Sequence, residues 1–177
     1  ISESVQKIVM LYGIVLGSEG IPLIYAGDEI GTLNDYSYLA DPDKSDDSRW
    51  VNRPFQNWEL VAGLGEDSGP EAQIFNRIKE LITLRKRIPA LGAAGRTLFH
   101  HSGNEHLFVF ERRSNADGLM VIANFDAAIQ VLNASWLEKM GYLKDGHFIN
   151  LADGASHQIN SGLLQIKPHD LLWILRN

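Results

Sequence analysis

The stretch GIPLIYAGDEIG, from Gly20 to Gly31, decides the fold of this chain. Its first part, Ile21–Ala26, is wholly apolar and lies between glycines. This pattern is typical of a strand that is buried on both faces, as the parallel strands of α/β proteins are. Two carboxylates, Asp28 and Glu29, follow directly. Because α/β barrels keep their chemistry at the carboxyl ends of their strands, this end of the strand is a candidate site.

Amphipathic helices are predicted on both sides of the strand. Residues Ser4–Leu16 repeat apolar side chains at helical spacing, and Ser2 or Ser4 can cap the helix start. A second helix is predicted over Glu71–Arg87, with Ser68 as its cap. Because helices and a buried strand alternate here, residues 1–90 are predicted to be an α/β unit, the last βα part of a (β/α)8 barrel.

The pattern changes after about Leu91, where short alternating runs are separated by turn residues. The predicted strands are Arg96–His100, His106–Arg112, Leu119–Asn124, Ile129–Leu132, His147–Leu151, Leu163–Ile166 and Leu171–Leu175. Several short strands at this spacing favour an antiparallel arrangement. Residues 91–177 are therefore predicted to be an all-β C-terminal antiparallel sandwich.

Composition excludes several classes of function. The chain has 177 residues and a formal net charge of −6, which gives neither a basic footprint for nucleic acid nor an attraction to anionic membranes. No apolar run approaches the roughly 20 residues of a membrane span. The sequence contains no cysteine, and its histidines lack the spacing of a zinc site, so neither a metal nor a cofactor is predicted.

The carboxylates after the strand have two interpretations. Side chains alternate between the faces of a strand, so Asp28 and Glu29 cannot both point into one pocket if the strand continues through them. One of them would line a site while the other binds backbone or an arginine. Alternatively, both hydrogen-bond to nearby loops and have structural roles.

The long polar segment Leu33–Gly69 is predicted to be an irregular, functional loop. Its aspartates (Asp41, Asp43, Asp46 and Asp47) lack the glycine and terminal glutamate of a calcium-binding loop. They are better interpreted as a solvated charge run that Lys44 and Arg49 partly balance.

Two arginines of this loop, Arg49 and Arg53, lie among the aromatic residues Trp50, Phe55 and Trp58. A guanidinium that is held by packing and by an opposing carboxylate can present a planar fork to hydroxyl groups. Flat aromatic faces suit sugar rings. The alternative is a surface ion pair beside core tryptophans.

These motifs resemble a known family. GIPLIYAGDEIG resembles the eighth barrel strand and following turn of the α-amylase superfamily, glycoside hydrolase family 13. The longer match, which continues through KSDDSRWVNRP, is similar to amylosucrases and sucrose hydrolases. Two C-terminal runs, LMVIANFD and LQIKPHDLLWIL, resemble the ends of the family's sandwich domain. The resemblance covers essentially the whole chain.

The resemblance implies a retaining α-glucosyl transferase or hydrolase that acts on sucrose or another short α-glucoside. Its nucleophile and its acid/base would be carboxylates about 5–5.5 Å apart. The family's catalytic carboxylates lie on earlier strands, and no residue here matches them, so none is assigned as catalytic. Arg49 matches the arginine that closes the bottom of the glucosyl pocket, and Arg53 is the second candidate substrate-binding residue. Asp46 and Asp47 match the family pattern in scaffold positions.

We therefore expect the chain, which begins at Ile1, to be an inactive C-terminal portion of a longer enzyme that takes sucrose or an α-glucan. Its unpaired strand and apolar helix faces are expected to make it self-associate or bind the missing barrel portion. Two alternatives stay open: a non-catalytic carbohydrate-binding or scaffold module, and another family specificity such as an α-glucosidase or a trehalose synthase.

Overall fold

The computed structural model describes residues 2–64, 68–159 and 161–177. Its α-helices are α1 (Glu3–Gly17), α2 (Trp58–Gly63), α3 (Pro70–Arg87) and α4 (Ser135–Lys139). Its strands are β1 (Arg96–Phe99), β2 (Leu107–Arg113), β3 (Gly118–Asn124), β4 (Gln130–Asn133), β5 (His147–Ile149), β6 (Ser156–Gln158), β7 (Leu163–Ile166) and β8 (Leu171–Leu175). None of the helices in these ranges combines the length and apolarity that a membrane crossing needs.

The two long helices form where their apolar periodicity predicts them. At the start of α1, the Ser2 side chain accepts a hydrogen bond from the Val5 backbone N–H at 3.4 Å, so Ser2 is the cap. The predicted Ser68 cap of α3 is wrong. This helix begins at Pro70 with Gly69 in the capping position, because proline at the first helical position needs no backbone N–H partner.

All strand pairs among the described residues are antiparallel, as predicted. Four strands form one sheet in the order β1-β2-β3-β8. Two small ribbons accompany it, one of β4 with β7 and one of β5 with β6. The central strand β3 is buried along its whole length, because apolar layers cover both of its faces.

The four-stranded sheet separates two apolar cores. Val121 and Trp173 point toward the helices and pack with side chains of α1 and α3. Met120 and Ile174 point the other way and pack with the β4–β7 ribbon, α4 and Tyr142. The alternation of side chains along β3 and β8 therefore joins both layers to one sheet.

The predicted boundary between residues 1–90 and 91–177 does not divide the apolar core. Val5 and Val9 of α1 share a core cluster with Phe110 of β2 and Trp173 of β8. The helix and the sheet come close enough that a Cβ on Gly13 would lie 2.0 Å from the Leu171 Cδ2 atom. The division into a barrel part and a sandwich domain stays a prediction.

The prediction of a strand buried on both faces at Ile21–Ala26 is wrong. This segment belongs to no sheet in the part of the chain that the structure describes. Its backbone makes no strand-to-strand hydrogen bonds among the described residues, and the Tyr25 carbonyl instead accepts the Asp28 N–H at 3.0 Å within the following turn. The side chains of this segment still differ in burial. Ile24 packs against the helix-side core, whereas Ile21 is 98% exposed and Leu23 is 81% exposed.

The loop predicted over Leu33–Gly69 is less irregular than expected. It contains α2 and two 3-10 turns, Ser37–Ala40 and Ser48–Asn52. Residues 65–67 of this loop lie outside the described ranges, as do Ile1 and Asn160. The sequence patterns also did not predict α4 and β6, which are five and three residues long. Elements this short carry too few residues to show a period.

Two arginines fix the chain as it leaves α1. The Arg85 guanidinium donates to the backbone carbonyl of Leu16, to that of Ser18 at 2.9 Å and to that of Gly20 at 2.8 Å. Arg112, which is 1% exposed, donates to the Glu19 carboxylate at 2.9 Å. Carbonyls at a helix end lack partners within the helix, so these contacts satisfy them and set where the segment after residue 20 begins.

Candidate functional site

A pocket of about 390 Å³ brings together the end of the Gly20–Gly31 stretch and the arginines of the following loop. One wall consists of Tyr25–Asp28 and Thr32–Asn34, and the other contains Arg49 and Asn52–Pro54. The structure therefore places both predicted substrate-binding residues, Arg49 and Arg53, on one pocket. The carboxylate of Asp28 lines the same pocket.

Arg49 is held by Asp47. The Nε atom donates to Asp47 Oδ1 at 2.8 Å, and a terminal nitrogen donates to Oδ2 at 2.7 Å, which is a bidentate pair. Hydrogen bonds from the side chain and the backbone of Arg49 lower the pKa of Asp47 to about 2. Asp47 also caps the Ser48–Asn52 turn by accepting from the Arg49 N–H at 3.0 Å. The Asp47 carboxylate thus orients Arg49 in a short 3-10 turn.

The Arg53 guanidinium lies over Trp50, with its carbon 5.9 Å from the ring centroid. The ammonium group of Lys44 lies 5.3 Å from the same centroid. At this distance the guanidinium is attracted to the ring by a cation–π interaction, which does not occupy its N–H groups. Arg53 is therefore the less tightly held of the two arginines.

The carboxylates after the predicted strand have separate partners. The Tyr12 hydroxyl of α1 donates to Asp28 Oδ2, and burial followed by this hydrogen bond raises the pKa of Tyr12. The Glu29 carboxylate accepts the Gly27 backbone N–H at 2.7 Å. Gly27 has a φ of 102°, a conformation that glycine adopts without strain. Asp28 therefore lines the pocket and is bound to α1, whereas Glu29 binds backbone within the turn, which agrees with the interpretation in which the two carboxylates have separate roles.

Two of the four aspartates in the acidic run form ion pairs, so its charge is partly balanced, as the sequence indicates. Asp41 pairs with Lys44 at 2.8 Å, and Asp47 pairs with Arg49. Within residues 2–64, 68–159 and 161–177, no group of three or more His, Asp or Glu side chains is arranged to hold a metal ion.

Sequence reasoning did not identify several residues of the pocket. Tyr25, Thr32 and Asn52 line it, although the sequence patterns predict only a strand at Tyr25 and a loop at Asn52 and assign no role to any of the three. Tyr12 was assigned only to the apolar stripe of α1, although its hydroxyl binds Asp28. Hydrogen-bond partners sixteen residues apart leave no local pattern, so only the three-dimensional arrangement reveals them.

Several large apolar side chains between residues 21 and 58 are exposed to solvent, and one of them, Leu33, lines the pocket. Phe55 is 94% exposed, Leu33 is 84% exposed and Trp58 is 73% exposed. Together with Ile21 and Leu23 they form what we call the exposed apolar set. Soluble proteins rarely leave so many large apolar residues of one region uncovered.

No family model matches this sequence. Among curated proteins, the chain is similar to a glucosylglycerate phosphorylase of Escherichia coli (strain K12), with 24% identity over 181 residues, which cover 97% of this chain and 28% of that protein. It is also similar to a maltogenic α-amylase of Bacillus acidopullulyticus, with 26% identity over 162 residues, which cover 84% of this chain and 24% of that protein. The chain thus spans about a quarter of the length of these relatives.

Solved structures share the fold. The structure of AmyP in complex with maltose matches 99% of this chain and 35% of its own, with a TM-score of 0.76 and 20% identity. The trehalulose synthase MutB matches 97% of this chain and 38% of its own, with a TM-score of 0.62 and 16% identity. The curated relatives and structural neighbours of this chain are therefore enzymes of the α-amylase family, glycoside hydrolase family 13.

Proposed function

We propose that this chain is the C-terminal portion of an α-amylase-family enzyme that transfers or hydrolyses, with retention, the glucosyl unit of sucrose or a short α-glucoside. The observation that carries the proposal is the pocket in which Asp47 orients Arg49 beside Asp28. The family resemblance assigns Arg49 to the closed end of a glucosyl pocket, and in the whole protein such an end would favour a short substrate over an internal stretch of a long glucan.

The names of the similar proteins support this choice of substrate. A glucosylglycerate phosphorylase and a trehalulose synthase are among them. Both names denote chemistry on small glucosyl compounds. A maltogenic amylase and AmyP with bound maltose are also among them, so a general α-glucoside is the broader form of the proposal.

In the proposed enzyme, Arg49 and Arg53 bind the substrate and do not take part in bond cleavage. The catalytic carboxylates of a retaining mechanism, about 5–5.5 Å apart, would come from the rest of the protein. The chain alone would then release neither glucose nor fructose. A non-catalytic carbohydrate-binding module is the second candidate, because the exposed aromatic side chains of Phe55 and Trp58 offer faces to sugar rings.

We propose that the rest of the barrel covers the exposed apolar set in the whole protein. In the isolated chain, a second copy of the chain would cover the exposed apolar set instead. Removing apolar surface from water lowers the free energy by about 25 cal/mol per Å². Light scattering of the purified chain should therefore give a mass above the 19.8 kDa of one copy. Replacing Phe55 and Trp58 with serine should return it to that mass, and a wild-type chain that stays monomeric at high concentration would contradict the proposal.

Replacing Arg49 with alanine in the whole protein is expected to lower kcat/KM for sucrose roughly 10- to 100-fold, since a charged hydrogen bond contributes about 1.5–3 kcal/mol. Steady-state assays of glucose and fructose release measure this change. Arg96→Ala, which replaces an exposed arginine of β1, is the matched control and should leave turnover unchanged.

Unchanged sucrose turnover in the Arg49→Ala protein would remove the substrate-binding role of this arginine. A whole protein that turns over neither sucrose nor short α-glucosides would instead favour the non-catalytic module. Turnover by the isolated chain would contradict the assignment of the catalytic carboxylates to the rest of the protein.

A further inference from the structure

The carboxylate of Asp28 keeps one oxygen available in the pocket that it shares with Arg49, which we call the Arg49 pocket. Its Oδ2 atom accepts the Tyr12 hydroxyl of α1. Within residues 2–64, 68–159 and 161–177, no ion pair includes Asp28 and no hydrogen bond reaches its Oδ1 atom. Because an ionised carboxylate accepts at both oxygens, Oδ1 remains an acceptor for a molecule in the pocket.

The turn that carries Asp28 is anchored to helices on two sides. Tyr12 holds it from α1. Ile30 is 4% exposed and packs in a small core cluster with residues of α2 and α3. Gly31 has a φ of 65° and lies so close to α3 that a Cβ on it would be 2.6 Å from the Ile74 Cδ1 atom. The position of the Asp28 carboxylate is therefore set by the packing of the helices before a ligand binds.

Tyr12 is suited to hold this carboxylate. Its ring packs against the helix-side core, so the hydroxyl group has a fixed origin in α1. Burial raises the pKa of Tyr12, and the hydrogen bond to Asp28 raises it further, so the hydroxyl stays protonated and donates at neutral pH. One oxygen of Asp28 is thus occupied by a permanent donor, which leaves the other oxygen for exchangeable partners.

The other wall of the Arg49 pocket supplies donors. Asp47 occupies the Nε atom and one terminal nitrogen of Arg49, so the second terminal nitrogen keeps its N–H groups. The cation–π contact of Arg53 with Trp50 occupies none of its N–H groups. Asn52 lines the same wall. The pocket therefore has a carboxylate acceptor on one wall and guanidinium donors on the other.

The formal charges around the pocket cancel. Arg49 and Arg53 contribute two positive charges, and Asp28 and Asp47 contribute two negative charges. An anion in the cavity of about 390 Å³ would meet the Asp28 carboxylate, whereas a neutral ligand leaves the charges balanced. A hydroxyl group both donates and accepts, so a neighbouring pair of hydroxyl groups can donate to a carboxylate and accept from a guanidinium. A glucosyl unit presents such pairs.

We propose that Asp28 is a further substrate-binding residue, whose Oδ1 atom accepts a hydrogen bond from one hydroxyl group of the glucosyl unit. Tyr12 is its positioning residue, because Tyr12 contacts the carboxylate and does not line the Arg49 pocket. The inference rests on the proposed function and deepens it, since it adds a carboxylate that selects one hydroxyl group of the substrate. Glu29 has no such role, because its carboxylate accepts the Gly27 N–H.

Steady-state kinetics of the whole protein test the proposal, with its preferred short α-glucoside and with analogues that each lack one glucosyl hydroxyl group. For the wild type, loss of the hydroxyl group that binds Asp28 should lower kcat/KM roughly tenfold, as the loss of one charged hydrogen bond does. Asp28→Asn should lower kcat/KM for the intact substrate by a similar factor. For that one analogue it should change kcat/KM less than about twofold, because the hydrogen bond is already absent.

Tyr12→Phe tests the positioning role and keeps the Asp28 carboxylate. It should lower kcat/KM for the intact substrate and weaken the discrimination against the same analogue, because the carboxylate loses its support. If Asp28→Asn fails to fold, this variant carries the comparison. Asp43→Asn is the matched control, because it changes an exposed aspartate of the loop that carries Arg49, outside the pocket. It should alter neither turnover nor discrimination.

A purely structural role of Asp28 gives a different pattern. Asp28→Asn would then lower kcat/KM for the intact substrate and for every analogue by the same factor, and this result would overturn the proposal. Unchanged kcat/KM in Asp28→Asn would overturn it as well. Both results leave the proposed function in place, because the wild type still turns over its substrate. A whole protein that turns over no short α-glucoside would instead contradict the proposed function, and the binding role of Asp28 with it.

Discussion

Replacing Trp173 with alanine is expected to lower the free energy of unfolding of the chain by about 3–5 kcal/mol, the range for large-to-small changes of buried aromatic residues. Trp173 is fully buried in β8, and it packs in the core that α1, α3 and the sheet share. A Cβ on Gly17 of α1 would lie 3.5 Å from the Trp173 ring, so the helix lies directly against it. The cavity would therefore open between the helices and the sheet.

Chemical denaturation followed by circular dichroism measures the loss. Because the core is shared, the helices and the sheet should unfold in one transition, at a lower denaturant concentration in the variant. Tyr36→Ala removes a large aromatic side chain that is 63% exposed and lies outside the exposed apolar set, and it should change stability by less than about 0.5 kcal/mol. If Trp173→Ala fails to fold, Trp173→Phe leaves a smaller cavity and should show a smaller loss. Two separate transitions in the wild-type chain would contradict the shared core.

Replacing Glu111 with glutamine is expected to cost about 3 kcal/mol at neutral pH, as the loss of one charge from a buried pair does. The Glu111 side chain of β2 is fully buried. It accepts from Tyr142 at 2.6 Å and from Arg113 at 2.7 and 2.8 Å, and His100 lies 3.3 Å away. A neutral amide in this position cannot accept from all of these donors, so at least one of them loses its partner.

The cost should depend on pH. Burial raises the pKa of Glu111, but the hydrogen bonds from Arg113 and Tyr142 outweigh burial, and the pKa lies below its usual range. The unfolded chain then binds a proton more readily than the folded chain. The stabilisation is present above the unfolded pKa of about 4.3 and is lost as the pH falls through the lower pKa of the folded chain.

Denaturation midpoints between pH 3 and 7 check this dependence. The difference between wild type and Glu111→Gln should be largest near pH 7 and should shrink below about pH 4. Glu138→Gln changes the same residue type on the exposed side of α4 and should have almost no effect. A Glu111→Gln loss that stays constant across the range would show that packing, and not the charge, determines it.

Sequence patterns were sufficient for the two long helices and for the longer strands of the four-stranded sheet. Helices α1 and α3 show apolar residues on one face, and the strands β2, β3 and β8 end within a residue or two of the predictions. The prediction of a buried strand at Ile21–Ala26 failed because an apolar run shows only that a segment can be buried. Burial also requires neighbours, and the described chain offers contacts on one side of this segment alone.

The candidate site was predictable only in part. Arg49 and Arg53 were identified from their aromatic surroundings and from the family resemblance, and the structure places both on one pocket. The bond from Tyr12 to Asp28 was not predictable, and neither was the buried Glu111. A charged residue in a strand pattern is normally assigned to the solvent side. The hydrogen bonds from Tyr142 and Arg113 offset the free-energy cost of burying the Glu111 carboxylate, and the position of Tyr142 is known only from the structure.

The two arginines at the end of α1 also constrain the order in which the chain acquires its structure. Arg85 lies 69 residues after Leu16, and Arg112 lies 93 residues after Glu19. Contacts between such distant residues form late, because the entropic cost of closing a long loop comes before the favourable energy of the contact. During synthesis on the ribosome, the carbonyls of Ser18 and Gly20 therefore lack their contacts with Arg85 until α3 has emerged, and Glu19 lacks its contact with Arg112 until β2 has emerged. The apolar segment that follows Gly20 is exposed to chaperones and proteases throughout that interval.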